Sequence, residues 1–210
     1  AQWFTDPRQL IASKLDLVSI ASPPVTHSGL AAAALSAGKH AVVEIAFAPS
    51  APDAQVLIGM ARDFKRVGAA AYVLRYTPTL RLVSDRLARK AIGQPRVMLF
   101  DFFTNFLALS KQSYRWMWDG ANGGGELSGF VSHAIDLAHC WFGPVREVDA
   151  TLATFAEVTA PAGSGPLADD TGFCTLMFEN GVIAAFSHSA VSPYPQTKME
   201  LHGSEASLII

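Results

Sequence analysis

His133 and Asp136 stand three residues apart in an apolar stretch, Leu127 to Trp141, whose spacing predicts a helix. Two residues at that spacing share a helix face. A histidine titrates near neutrality and can take or give a proton. An aspartate beside it can orient the ring or hold a hydroxyl. The bland alternative is a pair satisfied by local hydrogen bonds. His139 extends the set, but no further carboxylate or cysteine accompanies it, so no metal site is expected. His139 and Cys140 are expected to pack in the core. Arg75, Trp116, Trp118 and Asp119 form a second set. Aromatic faces suit sugar rings, while Arg and Asp suit hydroxyl or acid groups. Core packing is the competing reading for each Trp. No Gly-x-Ser-x-Gly turn occurs, so a nucleophile elbow is unsupported.

The elements that must position these residues begin with Asp6-Pro7, an N-cap followed by the residue suited to the first helical position. A helix to about Lys14 leads to a buried strand over Leu15 to Ala21, ended by Ser22-Pro23-Pro24. A helix from Thr26 to Gly38 and a strand from His40 to Glu44 follow. The next helix opens at Ser50 and Asp53 and runs to Val67, stopping at Gly68, and Ala70 to Tyr76 reads as a third strand. Strands alternating with helices over short links imply a parallel sheet covered on both faces. The Ser22-Pro23-Pro24 turn and Glu44 then lie at carboxyl ends of strands, where doubly wound sheets bind ligands. A plain strand-to-helix turn stiffened by proline is the competing reading. His27 opens the next helix and either touches such a ligand or faces solvent.

After Pro78 the pattern changes. A helix to about Arg89 is followed by a strand over Pro95 to Thr104, an aromatic-rich connection from Phe106 to Trp118, and a loop over Gly120 to Gly125. Beyond the 127–141 helix, five segments alternate with period two, and Asn180-Gly181 marks a hairpin. The fold class is therefore α/β followed by α+β, with a partial parallel sheet and then a mostly antiparallel one. The domains are 1–77 and 78–210, without a flexible linker.

Of the 210 residues, 50% are hydrophobic and 16% charged, enough to bury a core and too apolar for disorder. A net charge of -2 with no basic tract among aromatics argues against nucleic acid. The charge-free stretch from Leu17 to Gly38 is broken by Pro23-Pro24, so a strand, turn and Ala-rich helix explain it better than a membrane span. Cys140 and Cys174 lack metal or redox spacing and read as free, buried thiols of a reducing, cytoplasmic compartment. No leader-like basic then apolar segment opens the sequence.

Several motifs line up in order: Ser22-Pro23-Pro24-Val25-Thr26-His27, Ala37-Gly38-Lys39-His40, Arg75-Tyr76-Thr77-Pro78, Gly123-Gly124-Gly125-Glu126-Leu127, His133-Ala134-Ile135-Asp136, Asp169-Asp170-Thr171 and Glu179-Asn180-Gly181. Each is weak alone, and their joint order resembles the Gfo/Idh/MocA family of oxidoreductases along essentially the whole chain. The resemblance implies a Rossmann-type domain binding NAD or NADP, and a second domain whose open sheet face forms a homo-oligomer interface. It implies hydride transfer between nicotinamide and a sugar, cyclitol or related polyol or ketone. It implies cofactor contact for Ser22, Pro23 and Pro24, with His27 and Glu44 beside them, and catalysis by His133 with Asp136 in support, while residue chemistry makes Arg75, Trp116 and Asp119 the substrate-side candidates. Two positions depart from the family. A Glu-Lys-Pro sequence is usual where this chain has Glu44-Ile45-Ala46, and an Asp is frequent where it has Gly129. Ile45 cannot move a proton, so a catalytically impaired relative that binds a sugar derivative or acts as a scaffold is the rival reading. The family's Gly-x-Gly-x-x-Gly turn precedes the first segment seen here. The sequence is therefore expected to be a fragment that binds nicotinamide cofactors weakly by itself.

Overall fold

The computed structural model describes residues 2–106 and 114–210. The aromatic connection expected over 106–118 lies partly outside them.

Three parallel strands form the first sheet in the order β1 (Leu17–Ile20), β2 (His40–Val43), β3 (Gly68–Ala70). Helices α1 (Pro7–Ala12), α2 (His27–Ser36) and α3 (Ala51–Asp63) connect and flank them. Local chemistry starts two of these helices as expected. The Asp6 carboxylate accepts from Arg8 N–H at 2.8 Å, and Ser50 Oγ accepts from Asp53 N–H at 3.3 Å. The core between sheet and helices is small and aliphatic: Val18, Ile20, Ala31, Ala34, Leu35, Val43 and Leu57.

Two boundaries differ from the sequence reading. Helix α3 ends at Asp63, before Val67, because Lys65 turns into the left-handed region (φ 53°), and Gly68 belongs to β3. The strand expected over Ala70 to Tyr76 is β3 at 68–70 followed by a 3-10 turn at Val73–Tyr76. That turn sends Leu74 against the second domain's core and Arg75 to a carboxylate there. Tertiary contacts thus override a local apolar run that is long enough for a strand.

The second sheet has six strands in the order β5 (Val145–Ala153), β6 (Thr171–Phe178), β7 (Ile183–Ser189), β4 (Pro95–Phe103), β8 (Gln196–Gly203), β9 (Ser207–Ile209). All pairs are antiparallel except β4 with β7, so the sheet is mixed and mostly antiparallel. One face packs under α4 (Pro78–Ala88) and α5 (Ser132–Phe142), burying Val83, Leu137 and Phe142 against Met98, Phe100, Leu176, Phe178 and Phe186. The Asn180-Gly181 turn closes β6 to β7, with Gly181 at φ 86° as the turn requires. The long helix expected over 127–141 has two parts. Leu127–Val131 is π-helical and α5 follows it, a widened turn of the kind found at functional sites. The α/β then α+β order read from the sequence is the architecture observed.

Candidate active site

The carboxyl ends of β1 and β2 lie side by side, with Glu44 N–H donating to Ile20 O at 2.9 Å. Beyond β1, Ser22 Oγ and Thr26 Oγ1 share a hydrogen bond of 2.5 Å, and Thr26 N–H closes onto Pro23 O at 2.9 Å. Pro24 is buried, while Glu44 is exposed. His27 takes neither of its expected places in the open. It is fully buried, with Nε2 2.6 Å from Ser22 O and Nδ1 2.7 Å from Ala46 O. A neutral imidazole has one N–H and satisfies one of these carbonyls, whereas an imidazolium satisfies both. Either way the ring ties the turn after β1 to the turn after β2.

Asp136 does not orient His133. Its carboxylate receives both arms of the Arg75 guanidinium, at 2.6 and 2.5 Å, a bidentate pair that links the 3-10 turn after β3 to α5. Arg75, expected on the substrate side, directs two of its guanidinium nitrogens to this pairing instead. The His133 ring stands edge-on to Tyr72 at 5.5 Å and to Phe130 at 6.2 Å. Its Nδ1 is buried without a hydrogen-bond partner among the described residues. Burial pushes its pKa below the ordinary 6.5, against the pull of the Asp136 and Glu44 charges, so the ring is neutral at pH 7. His139 and Cys140, expected in the core, are exposed, because α5 turns its Ala134, Leu137 and Ala138 face inward instead. Cys174 is buried, and both thiols are free. Among the described residues no His, Cys, Asp and Glu cluster could hold a metal.

Asp119 is also structural. It is buried, its Oδ1 accepts from Ala121 N–H at 3.0 Å and its Oδ2 from Asn122 Nδ2 at 2.7 Å. Burial alone would raise its pKa, but the hydrogen bonds outweigh it and lower it. The two tryptophans part company: Trp118 is 2% exposed and belongs to a core with Ala190, whereas Trp116 is 41% exposed and lines a cavity.

That cavity, about 400 Å³, opens where the domains meet. Ile45, just after β2, lines it from the first domain. Phe102 and Thr104 from the end of β4, Phe106, Trp116, Met117, Gly125, Glu126, Gly129 and Phe130 line it from the second. The Phe102 and Phe130 rings stack at 4.0 Å. The triple-glycine turn makes the floor possible. At Gly123 (φ 78°) a Cβ would come within 2.8 Å of Pro24, and at Gly125 (φ 112°) within 2.3 Å of the Asp169 carboxylate. Asp169 in turn accepts from Leu127 N–H at 2.8 Å through its side chain and from Glu126 N–H at 3.0 Å through its carbonyl, fixing the start of the π-helical stretch. Glu126, which the sequence marks only as part of the Gly123 to Leu127 motif, belongs to the cavity wall. The available signal was a carboxylate placed directly after three glycines, facing a chain that lacks ionisable side chains at 45 and 129. Burial raises the Glu126 pKa to about 6, with Asp169 and Asp170 adding to the shift and His188 opposing it.

A parallel βαβ sheet, a mixed sheet covered on one face and a cleft at the carboxyl edge between them share the architecture of two-domain proteins built on a Rossmann-type fold. Residues 1–72 match the family model described as "Oxidoreductase family, NAD-binding Rossmann fold", and residues 80–209 match the "GFO/IDH/MocA C-terminal domain". The chain belongs to the Gfo/Idh/MocA oxidoreductase family. It is 25% identical to levoglucosan dehydrogenase of Pseudarthrobacter phenanthrenivorans, over 93% of this chain and 55% of the relative. It is 28% identical to 1,5-anhydro-D-fructose reductase of Ensifer adhaerens, over 93% of this chain and 56% of the relative. An uncharacterised oxidoreductase of Synechocystis sp. is 26% identical, over 99% of this chain and 58% of the relative. The structure of levoglucosan dehydrogenase in complex with NADH and levoglucosan superposes with a TM-score of 0.90 at 25% identity, covering 99% of this chain and 57% of that one. The chain thus spans a little over half the length of these relatives. No helix among the described residues is long and apolar enough to cross a membrane.

Proposed function

We propose that this protein is an NAD(P)-dependent oxidoreductase that passes a hydride between nicotinamide and a carbinol or ketone carbon of a sugar, cyclitol or related polyol. The observation that carries the reading is the cavity of about 400 Å³ shared by the two domains at the carboxyl end of β2. Ligands of open α/β sheets lie at that edge, and the volume suits a single ring. In this reading residues 1–77 are the cofactor-side unit and 78–210 the substrate-side unit.

The residues present fit the nicotinamide-ribose end of the cofactor. The Ser22-Pro23-Pro24 turn and the Glu44 segment form one ledge, held by His27, and the exposed Glu44 carboxylate can accept from ribose hydroxyls. Bound there, nicotinamide supplies the hydride donor or acceptor. His133 packs edge-on against Tyr72 and against Phe130, which lines the cavity. Trp116 and the stacked Phe102 and Phe130 exclude water from the reacting carbon and present flat faces to a ring. Asp136 acts by holding Arg75, which fastens the turn after β3 to α5 and so fixes the cleft.

The relatives' printed names, a dehydrogenase of levoglucosan and a reductase of anhydrofructose, support a sugar-like substrate. The free thiols fit a reducing, cytoplasmic setting. The uncovered face of the second sheet, which exposes Phe173, Ile183 and Ile209, fits a homo-oligomer.

A second reading, a relative that binds without turning over, draws on Ile45 and Gly129 in the cavity wall and on the commitment of Asp136 to Arg75. Mixing the full-length protein with NADH or NADPH and a panel of keto-sugars, and following cofactor absorbance, separates the two. Oxidation of the cofactor is the expected outcome. Saturable ligand binding with no cofactor oxidation would favour the second reading.

A further inference from the structure

The cavity wall contains both positions where an ionisable side chain is missing, Ile45 and Gly129. Yet it is not without ionisable chemistry. Among the described residues one ionisable side chain lines it, Glu126. That carboxylate is partly buried and enters no hydrogen bond found among the described residues, although its own backbone is clamped by Asp169. The side chain is therefore held at its root and unengaged at its tip. A second polar group in the same wall is equally unengaged: Thr104 Oγ1 is buried and has no hydrogen-bond partner among the described residues. The rest of the wall is apolar, with Ile45, Phe102, Trp116 and Phe130 as its main surfaces. The Glu126 carboxylate is the one charged group that this otherwise apolar chamber offers to a ligand, and it has no protein partner among the described residues to give up first.

Resting on the oxidoreductase reading, we infer that Glu126 is the catalytic acid/base of this cavity, acting on the less hydroxylated members of the substrate class proposed above. In the oxidising direction the carbinol C–H bond breaks and its hydride, with both electrons, passes to the oxidised nicotinamide. The O–H proton passes to the Glu126 carboxylate, and the C=O double bond forms. Reduction runs the same transfers backward, with the protonated Glu126 giving its proton to the new alkoxide. A polyol with hydroxyls all round would leave most of them unpaired against Ile45 and the aromatic rings, a cost that selects against it.

The groups that surround Glu126 shape its titration from two elements: Asp169 and Asp170 from the segment before β6, and His188 from β7. With burial leading, they leave its midpoint at about 6, close to working pH, where a general acid/base is most effective.

The test uses the full-length protein with NADH or NADPH and two cyclic ketones, 4-phenylcyclohexanone and a keto-inositol. The wild type is expected to reduce the phenyl ketone with the higher kcat/KM. Its kcat should fall as pH rises through about 6, the Glu126 midpoint. Glu126→Gln should lower kcat by about 100-fold with little change in KM, and abolish that pH limb. A Glu126→Gln enzyme with wild-type kcat, or one that keeps the limb, overturns the catalytic role. A preference for the keto-inositol overturns the substrate class. Absence of hydride transfer to either ketone removes the oxidoreductase reading and the proton step with it. The cavity assignment is then decided by 13C NMR of labelled glutamate. A Glu126 midpoint that rises with saturating 4-phenylcyclohexanone supports it, and an unmoved midpoint overturns it.

Discussion

Single residues in this protein divide between those that hold the cleft and those that face it, and residue type alone does not say which. Asp119, Asp136 and His27 all looked like ligand contacts. The fold uses each as a tie: Asp119 caps a 3-10 turn, Asp136 grips Arg75, and His27 joins two turns. Glu126, partly buried in an apolar wall, is the one that carries a thermodynamic cost. Its folded midpoint of about 6 lies above the ordinary 4.5, so the folded chain holds that proton longer than the unfolded chain does. The stabilising contribution is complete below about pH 4.5 and is lost as pH rises through about 6. A shift of that size corresponds to about 2 kcal/mol. Glu126→Gln is therefore expected to be more stable than the wild type by up to about 2 kcal/mol near pH 7.5, with the gap closing at pH 4.5. Urea unfolding at the two pH values measures it. Equal stability at both would show that the carboxylate is not desolvated.

At the scale of elements, the decisive join is the triple-glycine turn with the π-helical stretch after it. Gly125 has φ 112°, and a Cβ there would sit 2.3 Å from the Asp169 carboxylate. Gly125→Ala must displace Asp169, which releases the Leu127 N–H and tilts the segment that carries Glu126 and Phe130. We expect a loss of at least about 2 kcal/mol from left-handed strain and a broken cap, with a fall in Tm. Thermal unfolding followed by circular dichroism gives the answer, and an unchanged Tm would mean that the turn is not held by Asp169. The same scale shows how much of the chain was legible. Strands β1, β2 and β4 to β9, and the helices between them, follow from apolar periodicity, from Asp6-Pro7 and Ser50 as starts, and from Asn180-Gly181 as a turn. The strand expected over Ala70 to Tyr76 differs because that run is apolar and β-prone, while its neighbours lie in two domains: Ala41 to Val43 pair with Gly68 to Ala70, and Asp136 on α5 claims Arg75.

Over the whole molecule, each of the two sheets has its own core, and the six-stranded sheet leaves its far face uncovered. Cross-strand register puts Phe173, Leu99 and Ile183 on that face, with Ile209 toward its edge. The face also carries polar groups, including the Lys198 and Glu200 pair at 2.5 Å. A sheet face of this mixed character suits burial against a second copy. Phe173→Glu is expected to shift the protein toward monomer without loss of secondary structure, as read by multi-angle light scattering beside circular dichroism. A wild type that is already monomeric at micromolar concentration would remove that assembly.

Sequence by itself determined the order of most elements, the α/β then α+β architecture and the family. These depend on local signals: hydrophobic period, caps, turn residues and the order of short motifs, all of which survive in a linear chain. Tertiary structure decided which polar side chains are spent on structure and which remain open. His27 became a buried tie, the Arg75 and Asp136 pair became a clasp, and Glu126 with Thr104 became the unengaged polar groups of an apolar cavity. The physical reason is that desolvation and hydrogen-bond satisfaction depend on what packs around a group in three dimensions. The neighbours of Glu126, at 169, 170 and 188, are more than forty residues away along the chain.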